Sequence, residues 1–208
     1  MSSTCLRDRD MVLRLNRQLR EHNIDHYLFV EELEFERFKV GLDDDVNLRP
    51  KPNGGDNGLG RGGALNRWAC HQQMLAIVGE DDTFANIDSD VVFVNPKLIA
   101  ALECQPGETK GFADHNPTVI PGASFNHMSG MVMVAHGALF HKAVSVSRDE
   151  LHALCEPIMA IDVSPSDDVM LSYLFQVRAA ATSVVNFHDF FTRNTGKRYE
   201  LTDVDVIC

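Results

Sequence analysis

The chain has 208 residues, 44% of them hydrophobic and 24% charged, the balance of a globular protein with a closed core and not of a disordered one. Thirty acidic residues against nineteen basic leave a net charge of −11, the wrong sign for neutralising nucleic-acid phosphates or docking on an anionic membrane. No apolar run approaches the roughly 20 residues of a membrane span, and the stretch Met1–Asp10 has no signal-peptide core, so the expectation is a cytoplasmic protein without a membrane span.

Met11, Leu15 and Leu19, four apart with Val12 alongside, predict a helix from about Asp10 to Arg20. A strand before it has only the short, polar Ser2–Leu6 to draw on. His26–Glu32 is an apolar run ending in acids and reads as a buried strand. Residues 41–63 read as a long flexible loop, with an Asp43-Asp44-Asp45 run, Pro50, Pro52 and six glycines between Gly54 and Gly63. A helix resumes from Ala64 to about Val78, with Trp68 as core. Thr83–Asp88 reads as a strand broken by Asp88-Ser89-Asp90, and Val91–Val94 continues apolar. Asn95-Pro96 opens a helix to about Leu102.

Gly130–Ala135 is another apolar strand, which Ala138–Phe140 extends beyond a turn at Gly137. Ser147-Arg-Asp-Glu150 has the form of a capping box, and Ser164-Pro165 places proline at the first position of a helix running through Val177. Ser183–Phe187 is a last strand leading into His188-Asp189. Helices alternating with short continuous apolar strands predict one α/β domain over residues 1–208, a three-layer sandwich around a mainly parallel mixed sheet. Ligands in such folds sit at the carboxyl ends of the strands.

Asp88 and Asp90 fall at such an end. Carboxylates there need a partner, because burying an unpaired charge is costly. A hard divalent cation, Mg²⁺ or Mn²⁺, suits carboxylate oxygens and leaves coordination positions for phosphate. The five cysteines (Cys5, Cys70, Cys104, Cys155, Cys208) include no Cys-x-x-Cys pair and read as reduced thiols. His115, His127, His136 and His141 show no ligand spacing.

Several segments appear in a telling order: Arg7-Asp-Arg9 near the start, Asn66-Arg67 in a helix, Asp88-Ser-Asp90 after a strand, Asp167-Asp168 opening a later helix, and Asn186-Phe-His188 after a late strand. This order resembles that of the GT-A-fold, metal-dependent nucleotide-sugar glycosyltransferases, in particular the galactosyltransferase-like branches. The resemblance covers nearly the whole chain. It implies a GT-A-type sheet and a nucleotide-diphosphate sugar, commonly uridine-linked, as donor. Arg7, Arg9, Glu31 and Asn66 would hold the nucleotide, and Asp88, Asp90 and His188 would hold Mn²⁺ or Mg²⁺, with Asp88 also reaching the ribose. The histidine tilts the preference to Mn²⁺. Asp168 would be the general base, taking the proton of a glycan, protein or small-molecule acceptor hydroxyl with inversion at the anomeric carbon.

Family members often have Arg before Asn, whereas Asn66 precedes Arg67 here, which leaves Arg67 without an assigned role. Asn126 and His127 fall where related enzymes shape the sugar and acceptor pocket. The glycine-rich lead-in to Asn66 fits neither the Walker nor the dinucleotide-binding pattern. Two rival readings are a sugar-phosphate nucleotidyltransferase, whose glycine-rich loop would come about fifty residues earlier, and a non-catalytic nucleotide-sugar-binding domain.

Overall fold

A computed structural model of the chain describes residues 1–4, 9–40, 42, 46–52, 64–160, 167–194 and 206–207. The meagre first strand forms as β1 (Ser2–Thr4) and is followed by α1 (Arg9–Arg20), which buries Val12, Leu15 and Leu19 on one face, as their spacing requires. β2 (Tyr27–Val30) carries the apolar run, and a short α2 (Phe35–Lys39) comes after it. β3 (Asn47–Pro50) lies inside the stretch expected to be loop; among the described residues it pairs with β2 alone, and an edge strand tolerates Pro50. Residues 41, 43–45 and 53–63 of that stretch lie outside the described residues, as do Arg7 and Ser164-Pro165.

α3 (Ala64–Met74) leads to β4 (Thr83–Ile87), the two-residue β5 (Val92–Phe93), and α4 (Pro96–Ala100), which Asn95 caps by accepting the Lys97 N–H at 3.0 Å. β6 (Glu108–Ala113) precedes a hairpin of β7 (Thr118–Ile120) and β8 (Ala123–Phe125), turned at Gly122, whose φ of +83° favours glycine. β9 (Met128–His136) is the longest strand. α5 (Gly137–Val144) occupies the Ala138–Phe140 segment expected to extend the strand. A short apolar run cannot be told from a buried helix by its periodicity, and Gly137 decides the outcome. Its N–H bonds the Asp82 carbonyl at 2.7 Å, and a Cβ there would meet the Gly79 carbonyl oxygen.

Ser147 caps α6 (Arg148–Met159) through the Glu150 N–H at 3.1 Å, but the Glu150 side chain pairs with Arg178, so only half of the capping box forms. α7 (Asp167–Tyr173) runs into a π-helical turn at Leu174–Arg178, and β10 (Ser183–Asn186) completes the main sheet.

The strands order as β10-β6-β9-β4 in one sheet and β1-β2-β3 in another. Met1 joins them: its nitrogen bonds Ala85 O at 2.6 Å and its carbonyl accepts Ile87 N–H at 3.0 Å, the parallel pattern. The strand order across the molecule is therefore β3-β2-β1-β4-β9-β6-β10, with β9 alone antiparallel to its neighbours. Val132 and Val134 of β9 pack on one side, with Leu15, Leu19 and Leu98 of α1 and α4. Met133 and Ala135 pack on the other, with Leu65, Phe140, Leu151 and Met170 of α3, α5, α6 and α7. Alternate residues of one strand thus serve two cores, and the chain is a mixed α/β protein with helices on both faces.

Candidate functional site

β4 lies where the strand order reverses, with β1 to β3 on one side and the later strands on the other. The crevice outside such a switch point is where open α/β sheets bind ligands. Asp88 sits there. Its N–H bonds Met131 O at 3.1 Å, so pairing with β9 continues one residue past β4. The two-residue strand period puts Asn86 and Asp88 on one face, toward α3. Arg67 and His71, one helical turn apart on α3, both reach Asn86 Oδ1, each at 3.4 Å.

Arg67 is the centre of this corner. Its Nε donates to Asp167 Oδ2 at 2.8 Å, and its Nη2 lies 3.5 Å from Asp88 Oδ1. Burial opposes its charge, but Asp167 and then Asp88 outweigh that cost and keep it cationic. Asp88 is pushed up to about 6, first by burial against the pull of Arg67, with Asp167, Asp90 and Asp168 adding to the rise. Arg67 pairs with two carboxylates, and Asp90 and Asp168 add their charge beside Asp88, which leaves an excess of negative charge. The donors are hard oxygens, the type that suits a divalent cation. Among the described residues, no three His, Cys, Asp or Glu side chains are gathered at metal-holding distances.

Asp168 comes to the same place from α7. Gly130 separates it from Asp88: a Cβ there would stand 3.5 Å from Asp88 Oδ2 and 3.5 Å from Asp168 Cβ. Asp168 Oδ2 accepts the Gly130 N–H at 3.4 Å and lies 3.1 Å from His127 Nε2, off the axis of its N–H. His127 Nδ1 in turn meets Asp114 Oδ2 at 3.1 Å. Ser172 anchors the helix, donating to Asp168 O at 2.7 Å and accepting Met128 N–H at 2.9 Å. The adjacent acids of α7 therefore turn to different partners, Asp167 to Arg67 and Asp168 to His127.

No protein-family model matches the chain, and neither does any curated protein.

The other predicted residues divide into three groups. Glu31 and Asn66 line one cleft of about 480 Å³ with Lys51 and Pro52, at the carboxyl end of β2, and Lys51 Nζ bonds Glu31 Oε1 at 2.7 Å. Arg9 is engaged elsewhere, donating to the carbonyls of Phe38 and Val40 at 3.3 and 2.8 Å with its guanidinium over the Phe38 ring. His188 stands on the same rim of the sheet but three strand spacings from β4, about 14 Å. Its ring lies 5.1 Å from that of Phe112 and 6.0 Å from that of His115. Burial, then Arg193 and His115, lower its pKa and favour the neutral ring. Asn186 fixes this turn by bonding both backbone groups of Ala113 at 3.0 Å.

Asp167, His127 and Asp114 join the site without having been assigned to it from sequence, and Arg67 gains the role the sequence left open. The advance signals were the place of Asn126-His127 where the resembled enzymes shape their sugar and acceptor pocket, and Asp167 beside Asp168 at a helix opening.

Proposed function

We propose that the chain is a GT-A-type glycosyltransferase that moves a sugar from a nucleoside-diphosphate sugar, most suitably uridine-linked, to an acceptor hydroxyl with inversion. The observation that carries this reading is the meeting of Asp88 and Asp168 across Gly130 at the switch point of the sheet. The strand order, with β9 as the one antiparallel strand, supports it.

In this reading the cleft at Glu31, Lys51 and Asn66 takes the nucleoside, two strand positions over from the acids with β1 between. Asp88 and Asp90 would hold Mn²⁺ or Mg²⁺; His188, which the resemblance names as a third donor, stands three strand spacings away and is left out of this cation's holders. The bound cation supplies charge compensation for the departing diphosphate. Arg67 bridges Asp88 and Asp167 and offsets part of their charge. Asp168 accepts the acceptor's proton as its oxygen attacks the anomeric carbon and the bond to the diphosphate breaks. Gly130 leaves room between the two carboxylates for reacting groups.

The test is hydrolysis and thermal stabilisation with UDP-galactose and UDP-glucose, with and without Mn²⁺. Asp168→Asn is expected to lower turnover about 10²- to 10⁴-fold while leaving donor-induced stabilisation intact. No metal-dependent stabilisation by either donor or by UDP would overturn the reading.

A further inference from the structure

The contact between His127 and two carboxylates has a chemical consequence of its own. Carboxylates only accept hydrogen bonds, and a neutral imidazole has one N–H. With Asp114 Oδ2 at 3.1 Å from Nδ1 and Asp168 Oδ2 at 3.1 Å from Nε2, a neutral ring would turn a lone pair toward one carboxylate. The imidazolium form donates to Asp114 from Nδ1 and places its positive charge 3.1 Å from Asp168 Oδ2. The ring is also well anchored. The Asp114 N–H bonds the His127 carbonyl at 2.8 Å, tying the end of β6 to the start of β9, and Gln176 holds both backbone groups of Asn126, at 2.8 and 2.7 Å.

We propose that His127 is a positioning residue: as an imidazolium it spans Asp114 and Asp168 and fixes the Asp168 carboxylate for proton abstraction. This rests on the glycosyltransferase reading of Asp168. Turnover then needs two opposite ionisations, Asp168 deprotonated and His127 protonated, and its pH dependence is bell-shaped with His127 as the alkaline limb. The charged groups facing the ring are Asp168 from α7 and Asp114 from the end of β6, while Asn126 and Gln176 beside it are neutral. Asp88 lies across Gly130 from Asp168, and the Asp114 charge also acts on His188. Contact with Asp168 comes first among the causes that raise the His127 pKa; burial opposes it, and the charges of Asp168 and Asp114 add to it.

Two measurements on the full chain test this. The first is the NMR titration of the His127 ring in the wild type, Asp114→Asn and Asp168→Asn. The second is the pH profile of kcat for UDP-galactose and UDP-glucose hydrolysis with Mn²⁺ in the wild type, Asp114→Asn and His127→Gln. The expected result is a fall in the His127 pKa in both carboxamide variants, with the alkaline limb moving to lower pH in Asp114→Asn. In His127→Gln that limb disappears, and kcat drops about 10- to 100-fold with the donor KM within about twofold. A His127 titration indifferent to Asp168→Asn overturns the bridge whether or not the protein is active. An alkaline limb that ignores Asp114→Asn overturns the catalytic role. Normal titration shifts in a protein inactive at every pH overturn the glycosyltransferase reading, and the positioning role with it.

Discussion

Asp88 and Asp168 approach the same hydrogen of a glycine: a Cβ on Gly130 would lie 3.5 Å from Asp88 Oδ2 and 3.5 Å from Asp168 Cβ. These are ordinary contact distances, so Gly130→Ala is accommodated by the fold while it fills the space between the acids. Stability should hold or rise by roughly 0.5 kcal/mol, since alanine restricts the unfolded chain more than glycine. Turnover of UDP-sugars should fall at least about tenfold. Melting temperature and hydrolysis rate measured on one preparation check both halves; unchanged turnover would mean that the reacting groups lie elsewhere.

Arg67 holds Asp167 at 2.8 Å and Asp88 at 3.5 Å with 12% of its side chain exposed. Replacing it with methionine leaves two partly buried carboxylates without their counter-charge. The expected loss is about 3–5 kcal/mol by denaturant unfolding, the range for breaking a buried pair from one side. Millimolar Mn²⁺ should restore part of it, because a cation on Asp88 and Asp90 replaces the missing charge. A loss with no Mn²⁺ response would separate Arg67 from the cation corner.

Asp88, raised to about 6, makes cation binding a competition with protons. Affinity for Mn²⁺ should be near its plateau at pH 7.5 and about tenfold weaker at pH 5, one unit below that pKa. Calorimetric titration at the two pH values checks this. The donors can be sorted in the same experiment. Asp90→Asn, beside Asp88, should cost at least about tenfold, and His188→Ala less, because β10 and β4 are separated by two strands. Equal losses would bring His188 into the cation's coordination sphere.

The α/β class, the positions of β2, β4, β9 and β10, and the Asp88 and Asp168 ends of the site were legible because each follows from a local signal: an apolar run, an acidic break, a helix opening. Three kinds of feature were not. α5 and the expected strand share an apolar pattern, and the difference lies in Gly137 fitting against the Gly79 backbone, a tertiary contact. β6 was hidden because the charged, half-buried Glu108 and Lys110 alternate with Thr109 and Gly111, a weak hydrophobic signal. The Arg67–Asp167 and His127–Asp168 pairs join elements far apart in the chain, and nothing local marks one acid for one base.

Gly137→Ala tests that backbone fit directly. Its Cβ would collide with the carbonyl oxygens of Gly79, Glu80 and Asp82, which belong to backbone and cannot rotate away. The Gly137 and Ala138 N–H groups also bond the Asp82 and Glu80 carbonyls at 2.7 and 2.8 Å, so any shift lengthens both bonds. A loss of about 3 kcal/mol or more is expected by urea unfolding, and a change under 1 kcal/mol would remove this contact as the reason for the helix.

Two buried histidines set the acid limit of the fold. His26 lies between Asn16 Oδ1 at 3.1 Å and the Ser2 hydroxyl at 3.0 Å, and His71 lies under Phe84 and Phe140. Burial is the first cause of lowering both to about 3; the amino terminus adds to it at His26 and Arg67 at His71. A histidine with a lowered folded pKa takes up its proton in the unfolded chain first. Stability is therefore fully present above the unfolded value near 6.5 and is lost as pH falls from there toward 3. Each site steepens the loss by about 1.4 kcal/mol per pH unit within that window. Unfolding curves at pH 7, 6, 5 and 4 should show the slope, and His26→Asn, which removes the ionisation while keeping polar atoms, should reduce it by one proton. The same slope in that variant would mean that His26 remains neutral in the unfolded chain as well or that other groups govern acid unfolding, and either outcome defeats the argument from burial.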